Sequence, residues 1–329
     1  MLLIIAFILG AHIGSFLNVC IWRLPRGESV VEPPSHCPNC NTRLKALDLV
    51  PLLSQICLRA RCRYCGKRIS WRYAGIEALT GILFVLVVQS QRPPIDVTDL
   101  SLWVHLVQGW LMVSTLVVIF WIDYETRLIQ LEAVFLLGLT GLAADAWGLW
   151  RHDPDKVLVG AFGMTGTQFL PAPLPQSIVA MVFTATFLWT IREVFSRLYG
   201  KEAMGFGDVI LVAAIAANLG WNATIVTFFF LSIMVGAAVG VTLQIPRAVR
   251  AYAWARRRPP GDRLRGLAFP LARHAFRKAM PFGPMLALGA VVAMLYGQSV
   301  NQAYLNRVNP QFTLTSSGQG DGVYLVPNR

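Results

Sequence analysis

Two aspartates lie at the edges of long apolar segments, where an ionisable side chain is costly and can do chemistry. Asp208 follows a Gly-Phe-Gly sequence, in which the glycines are Gly205 and Gly207, and it begins an apolar run; Asp123 ends another. Ionisable residues where a membrane helix meets water are functional candidates, and glycine lets a second backbone approach closely. We therefore predict Asp123 and Asp208 to be catalytic, with Gly205 and Gly207 supporting the active-site loop.

A pair of carboxylates can hydrolyse a peptide bond without a nucleophilic side chain. One carboxylate, ionised, takes a proton from water, while the other, protonated, polarises the carbonyl group and later helps the amine to leave. Because two neighbouring like charges do not ionise together easily, one of the pair keeps its proton. The remaining membrane-edge acids, Glu77, Glu132 and Asp145, are interpreted as structural.

Four of the six cysteines form two C-x-x-C pairs, Cys37 with Cys40 and Cys62 with Cys65, in one hydrophilic loop. Paired knuckles at this separation are typical of a tetrahedral Cys₄ zinc site. Four thiolates leave no open coordination position, so we predict a structural zinc that folds a loop without a core of its own. A redox role is the minor alternative. Cys20 and Cys57 fall outside the pattern.

Composition indicates a polytopic membrane protein. Of 329 residues, 55% are hydrophobic and only 14% are charged, which excludes disorder. We predict an all-α polytopic membrane protein with about eight transmembrane helices and a cytoplasmic zinc-binding loop after the first helix. The predicted helices cover about 2–21, 74–90, 101–122, 128–150, 175–196, 208–221, 223–245 and 281–299. The segment 156–170 is interpreted as a loop or interfacial piece.

The net charge of +12 is concentrated in two loops, which argues for membrane topology and against nucleic acid as a partner. Loops 22–73 and 246–280 each carry ten Lys or Arg residues, and the positive-inside rule places both in the cytoplasm. Both aspartates then lie on the cytoplasmic side, although they were not used in that assignment. The predicted units are a first transmembrane helix at 1–21, the zinc loop at 22–73, a transmembrane core at 74–299 and a polar tail at 300–329. The core includes the basic loop 246–280.

Several motifs, in order, resemble those of type IV prepilin peptidases, from about residue 10 to about residue 299. The motifs are Gly14-Ser15-Phe16-Leu17-Asn18-Val19, Arg23-Leu24-Pro25-Arg26-Gly27-Glu28-Ser29, Pro33-Pro34-Ser35-His36-Cys37-Pro38, Arg61-Cys62-Arg63-Tyr64-Cys65, Asp123 with Thr126, Gly205-Phe206-Gly207-Asp208 and Pro281-Phe282-Gly283-Pro284. The resemblance implies a bacterial inner-membrane aspartic peptidase of the GxGD type, with Asp123 and Asp208 as its catalytic pair.

The same resemblance implies a substrate and a second activity. Such enzymes cleave the leader from prepilins or type II secretion pseudopilins on the cytoplasmic side, and many then N-methylate the new amino terminus with S-adenosylmethionine. Two positions depart from the family pattern: Ile210 stands where Lys is usual, and Gln130 where Pro is usual. Two alternatives therefore stay open. One is a non-enzymatic zinc-containing membrane component of a pilus or secretion assembly; the other is a GxGD protease for other membrane substrates.

Overall fold

The computed structural model describes residues 1–91, 96–151, 157–158, 174–200, 204–257, 267, 269–270, 282–308, 312–316 and 323–327. Within this part the chain is mostly helical. The α-helices are α1 (Leu2–Arg23), α2 (Leu53–Cys57), α3 (Arg72–Gln89), α4 (Leu100–Thr126), α5 (Leu131–Trp150), α6 (Gln176–Tyr199), α7 (Phe206–Leu219), α8 (Ala223–Arg256) and α9 (Gly283–Val308).

Seven of these helices are long and apolar enough to cross a membrane: α1, α3, α4, α5, α6, α8 and α9. Helix α7 is equally apolar but has only 14 residues. At 1.5 Å per residue it extends about 21 Å, less than the roughly 30 Å of a bilayer core. The prediction of a polytopic helical membrane protein is confirmed, with one of the eight predicted helices shorter than a full span.

Helix α4, which carries Asp123, lies at the centre of the described bundle. Sixty-one per cent of its apolar stretch is buried, the largest share among the seven spans. One face contributes Leu116 and Ile119 to an apolar cluster with α5, α7, α8 and α9. The other contributes Val117 and Ile122 to a cluster with α1 and α3. A helix packed on both faces holds its end rigidly, and that end carries Asp123.

Glycines bring neighbouring helices into close contact. A Cβ atom added to Gly10 would lie 2.8 Å from the Gly81 Cα, which shows how closely α1 and α3 approach. A Cβ atom at Gly141 of α5 would lie 2.5 Å from the carbonyl carbon of Ala217 in α7. Such small-residue contacts are how membrane helices pack tightly without a hydrophobic driving force between them. The second contact fixes α7, which begins with the residues around Asp208.

Several elements differ from the sequence prediction at their ends. Helix α8 continues to Arg256 through Pro246, beyond the predicted end at 245. Helix α9 continues to Val308, beyond 299. Two short antiparallel strand pairs lie outside the membrane helices: β1 (Val157–Leu158) with β2 (Leu174–Pro175), and β3 (Phe312–Ser316) with β4 (Val323–Pro327). The predicted loop 156–170 lies outside the described residues apart from 157–158.

Candidate active site and metal centre

Asp123 lies in the last turn of α4 and is buried, with 4% of its surface exposed. Its helix is capped by Arg127, which adopts a left-handed conformation (φ 57°) and donates its backbone N–H to the Asp123 carbonyl oxygen at 2.9 Å. The side-chain atom Oδ2 is buried without a hydrogen-bond partner among the described residues. A buried carboxylate oxygen with no donor is costly, so this atom is available to a water molecule or a substrate.

Asp208 lies in the first turn of α7, where helix N–H groups point toward an acid. Gly205 caps this helix in an extended conformation, and its carbonyl accepts the Asp208 N–H at 3.2 Å. A Cβ atom at Gly205 would lie 3.4 Å from Asp208 Oδ2, and one at Gly207 would lie 3.2 Å from the Ile129 Cβ. A side chain at Gly205 would thus make an ordinary van der Waals contact with the carboxylate, whereas Gly207 lets the chain that follows Asp123 pack closely against this loop.

The structure brings the two aspartates into one electrostatic neighbourhood. The charge of Asp123 acts on the carboxyl group of Asp208, and Ile129 packs against Gly207. Two spanning helices, α5 and α6, lie between Asp123 and Asp208 along the chain. Because two crossings return the chain to the side from which it started, the end of α4 and the start of α7 lie on the same side. That the two acids meet at one water molecule stays a prediction.

A third glycine, Gly283, belongs to this site although no role was predicted for it. It begins α9, and a Cβ atom at this position would lie 2.5 Å from Asp123 Oδ2. The sequence signal was present, since Gly283 lies in a Pro-Phe-Gly-Pro motif of the resemblance, but only the fold shows that this motif meets Asp123. The open space beside Asp123 thus depends on three helices rather than two.

Two polar contacts hold the surrounding loops. Arg192 of α6 donates from Nε to the Met204 carbonyl at 3.0 Å, which anchors the chain just before Gly205. Arg72, at the start of α3, forms an ion pair with Glu125, two residues beyond Asp123. Neither arginine was predicted to take part: Arg72 lies 53 residues from Glu125, and Arg192 belongs to a different element from Met204, 12 residues away.

The remaining membrane acids have structural contacts or lie on the surface. Glu77 accepts the Leu52 N–H at 2.8 Å and so ties the cysteine loop to α3. Asp145 accepts the Ser177 N–H at 2.6 Å at the start of α6. Glu132 is exposed in the first turn of α5. Ile210, at the position where Lys is usual, packs against the apolar core cluster, where an apolar side chain is favoured.

The four predicted zinc ligands converge. The Sγ atoms of Cys37, Cys40, Cys62 and Cys65 all lie within 4.8 Å of one another, and the Cys37 and Cys65 sulfurs are 3.9 Å apart. Zn–S bonds of about 2.3 Å in a tetrahedron place sulfurs about 3.8 Å apart. The donor set and its spacing therefore fit a zinc ion, and the cluster could hold a metal.

The two knuckles repeat one backbone pattern. Cys37 N–H donates to Thr42 at 3.0 Å, and Cys62 N–H donates to Lys67 at 2.9 Å. Hydrogen bonds from the Thr42 hydroxyl and backbone lower the pKa of Cys40 to about 6. For Cys65, a backbone hydrogen bond from Lys67 lowers the pKa, but burial and hydrogen bonds to the other three cysteines outweigh it and raise the pKa to about 11. A thiol that ionises readily is a ready metal ligand. Cys20 and Cys57 are free and lie outside the cluster, as the sequence indicated.

Comparisons with known proteins agree with this arrangement. The family model described as the bacterial peptidase A24 N-terminal domain matches residues 8–90, and that of the type IV leader peptidase family matches residues 110–241. A prepilin leader peptidase/N-methyltransferase from Aeromonas hydrophila is 31% identical over 92% of this chain and 93% of its own length. The protein of that name from Pseudomonas putida is 29% identical over 90% and 91%, and that from Myxococcus xanthus is 34% identical over 72% and 62%. No solved structure matches.

A bundle of apolar helices that matches both of these peptidase family models is a membrane-embedded peptidase. The two family models and the Aeromonas hydrophila relative, which covers 92% of this chain, identify which family of membrane peptidases this is. The chain belongs to the type IV leader peptidase family.

Proposed function

We propose that this protein is an aspartic endopeptidase that cleaves the leader of type IV prepilins or type II secretion pseudopilins at the cytoplasmic membrane face. We further propose that it N-methylates the new amino terminus with S-adenosylmethionine. The observation that carries the peptidase proposal is the buried, unpartnered Oδ2 of Asp123 in electrostatic reach of Asp208. Membership of the family supports the choice of substrate.

The chemistry assigned to the pair is direct hydrolysis. A water molecule between Asp123 and Asp208 gives a proton to the ionised carboxylate, and its oxygen attacks the scissile carbonyl carbon. The protonated partner donates to the carbonyl oxygen, and a proton then passes to the nitrogen as the C–N bond breaks. The apolar surroundings exclude other water, and the substrate's own hydrophobic helix brings the bond to this membrane edge.

Zinc and the methyl donor have separate assignments. Cys37, Cys40, Cys62 and Cys65 would hold a zinc ion that stabilises the loop and takes no part in hydrolysis. When bound, S-adenosylmethionine would supply an electrophilic methyl group to the free amine. Methylation requires the free amine that leader cleavage creates, so the peptidase step comes first.

The test is leader cleavage by Asp123→Asn and Asp208→Asn in purified full-length protein. Each change removes a group that transfers a proton, so we expect each variant to lose about 10²–10⁴-fold in cleavage rate. Glu132→Gln is the matched control, because Glu132 is an exposed acid and its variant should cleave normally. Normal cleavage by either aspartate variant would remove that residue from the mechanism. Binding of prepilin without processing by the wild type would favour a non-enzymatic assembly component.

A further inference from the structure

One segment of the basic loop between α1 and α3 carries no charge. Residues 49–58 read Leu-Val-Pro-Leu-Leu-Ser-Gln-Ile-Cys-Leu, between Asp48 and Arg59. An uncharged, mostly apolar run of about ten residues is too short to span a bilayer and is typical of a buried or an interfacial segment. The exposure of its large side chains distinguishes these two possibilities.

Three large apolar side chains of this segment are exposed and form an apolar edge: Leu49, Leu53 and Ile56. Their exposed fractions are 40%, 62% and 58%. Leu53 and Ile56 are three residues apart in α2, so they lie on one face of that helix. The other face carries Ser54 and Gln55, which line a cavity that α1 and α3 also line. The segment therefore packs on the bundle through its polar side and leaves its apolar side outward.

The segment lies level with the interior of α3 and not with its end. Leu52 donates its N–H to the Glu77 carboxylate at 2.8 Å. Helix α3 begins at Arg72, and five further residues at about 1.5 Å each place Glu77 about 7.5 Å along the helix axis. Trp71, just before α3, is 58% exposed, and Trp at a helix end marks the headgroup level. The apolar edge therefore lies on the acyl-chain side of that level.

Helix α1 gives the same level independently. Ser15 and Asn18 line the cavity that Ser54 and Gln55 also line. Helix α1 ends at Arg23, so its two cavity residues lie about 7–12 Å inside that end. Only 33% of the apolar stretch of α1 is buried within the described protein, so the rest of this span faces lipid. Interfacial helices insert to about 5–10 Å, which is the depth at which α1 and α3 hold this segment.

The backbone at Leu52 fixes this position. Leu52 has φ 62° and ψ −53°, a conformation that residues other than glycine rarely adopt. The Leu53 N–H closes the turn by donating to the Pro51 carbonyl oxygen at 2.6 Å. A strained residue of this kind persists only where its surroundings over-determine it, and Glu77 supplies that contact here. The outward position of the apolar edge is thus part of the fold.

Exposed basic residues flank the apolar edge. Arg43 and Lys45 precede it, Arg59 and Arg61 follow it, and all four are exposed. Anionic phospholipid headgroups attract such residues at a membrane surface. Segments with an apolar face and Lys or Arg beside it lie in the plane of the interface. Lipid is the occupant that the position favours, because the lipid around α1 already reaches this level.

We propose that residues 49–58 lie in the headgroup boundary of the bilayer, with the apolar edge among the acyl chains and Arg59 and Arg61 on anionic phosphates. The contact holds the cysteine loop down on the membrane beside α1 and α3. It is separate from the aspartate pair and from both proposed reactions, so its test needs no cleavage assay.

The experiment measures the depth of nitroxide labels by electron paramagnetic resonance. Leu53→Cys and Ile56→Cys are labelled one at a time in purified full-length protein, which is reconstituted into vesicles of phosphatidylcholine and phosphatidylglycerol. Cys57 lies between the two faces of α2 and is replaced by serine so that it takes no label. Molecular oxygen concentrates in lipid, whereas a neutral nickel chelate stays in water. At both positions we expect collisions with oxygen to exceed those with the chelate.

Leu47→Cys is the matched control. Leu47 is also apolar and is 71% exposed, but its neighbour Asp48 accepts hydrogen bonds from Arg63 and Tyr64 of the second knuckle. We expect its label to collide mainly with the nickel chelate. Cys57→Ser alone gives the background from the other cysteines, and metal content reports whether the loop is still folded. If one of the two edge variants fails to fold, the other decides the question.

Lipid composition tests the charged part of the contact. In vesicles of phosphatidylcholine alone, the labels at the apolar edge should lie shallower, because the headgroups no longer attract the flanking arginines. An unchanged depth would remove Arg59 and Arg61 from the proposal.

Three results would overturn the proposal as a whole. The first is more collision with the chelate than with oxygen at both edge positions, which would leave the segment in water. The second is the same lipid depth at Leu47→Cys, which would show that the label and not the protein sets the depth. The third is loss of oxygen collisions at the apolar edge when a prepilin is added, since the edge would then be a docking surface for the hydrophobic helix of the substrate.

Discussion

At the residue scale, the candidate site depends on space that glycine leaves beside a buried acid. Gly205 and Gly283 come from opposite directions, one next to Asp208 and the other next to Asp123. Neither has the positive φ that would by itself require glycine. The steric demand is clear at Gly283, where a Cβ atom would clash with the Asp123 carboxyl group, whereas one at Gly205 would make an ordinary contact with Asp208.

Gly283→Ala tests this steric role. The added methyl group would lie 2.5 Å from Asp123 Oδ2, so the carboxyl group or α9 must shift. A displacement of about 1 Å at a reacting group can cost about 10²-fold in rate, and we expect a loss of that order in leader cleavage. Gly240→Ala in α8 is the control, because a Cβ atom there meets nothing within 4 Å. Equal activities for the two variants would show that the space at Gly283 is not needed.

At the element scale, the cysteine loop is joined to the bundle by hydrogen bonds to α1 and α3, in which Arg23 donates to the Ser29 and Pro33 carbonyls and Glu77 accepts the Leu52 N–H. The two knuckles supply paired sulfurs, and Glu77 connects the loop to α3 through Leu52. Such a loop buries little apolar surface, so a metal should provide much of its stability. This element was predictable from sequence because cysteine spacing is a local signal, whereas its attachment at Glu77 was not.

Cys37→Ser and Cys57→Ser form a matched pair for the zinc assignment. Cys37 is buried in the cluster and Cys57 is exposed outside it. We expect about one zinc per chain in the wild type and in Cys57→Ser, and loss of zinc with a lower melting temperature in Cys37→Ser. Elemental analysis and thermal unfolding measure both. A wild type purified without chelators that contains no zinc would contradict the assignment.

Asp48 should make the stability of the cysteine loop depend on pH. Burial alone would raise the pKa of Asp48, but hydrogen bonds from the Lys45 backbone, Tyr64 and Arg63 outweigh it, and the pKa lies below its usual value. The ionised group therefore stabilises the fold above its ordinary pKa of about 3.9, and this contribution is lost as the pH falls through the lower folded value. Asp48→Asn should cost about 1 kcal/mol near neutral pH.

The measurement compares melting temperatures of the wild type and Asp48→Asn across the acid range. Since both proteins share any acid-induced loss of metal, their difference isolates Asp48. We expect the gap in melting temperature to be full near neutral pH and to shrink below about pH 4. A gap that stays constant with pH would show that the charge of Asp48 contributes no stability.

At the scale of the whole molecule, sequence patterns predicted the number and order of the helices but not which residues of different helices are in contact. Apolar length located α1 and α3–α9, because each span must match the bilayer. The contact between Gly283 and Asp123 was not predictable from the sequence. For the two aspartates, the number of helices between them predicted only that they lie on the same side. The ends of α8 and α9 were missed because helices continued beyond the apolar stretch, where hydropathy carries no signal.

The same parity predicts which surfaces face the cytoplasm. The positively charged loop that follows α1 places the α4–α5 turn, with Leu128, inside, and the end of α3, with Gln89, outside. Both residues are exposed, so each can be replaced by cysteine and treated with a membrane-impermeant maleimide in spheroplasts. Gln89→Cys should be labelled at once. Leu128→Cys and the native exposed Cys57 should be labelled only after the membrane is opened. Leu128 lies in the turn that follows Asp123, and the start of α9 contacts Asp123. Labelling of Leu128→Cys in closed spheroplasts would therefore show that the aspartate site lies at the outer face, which would exclude cleavage of leaders in the cytoplasm.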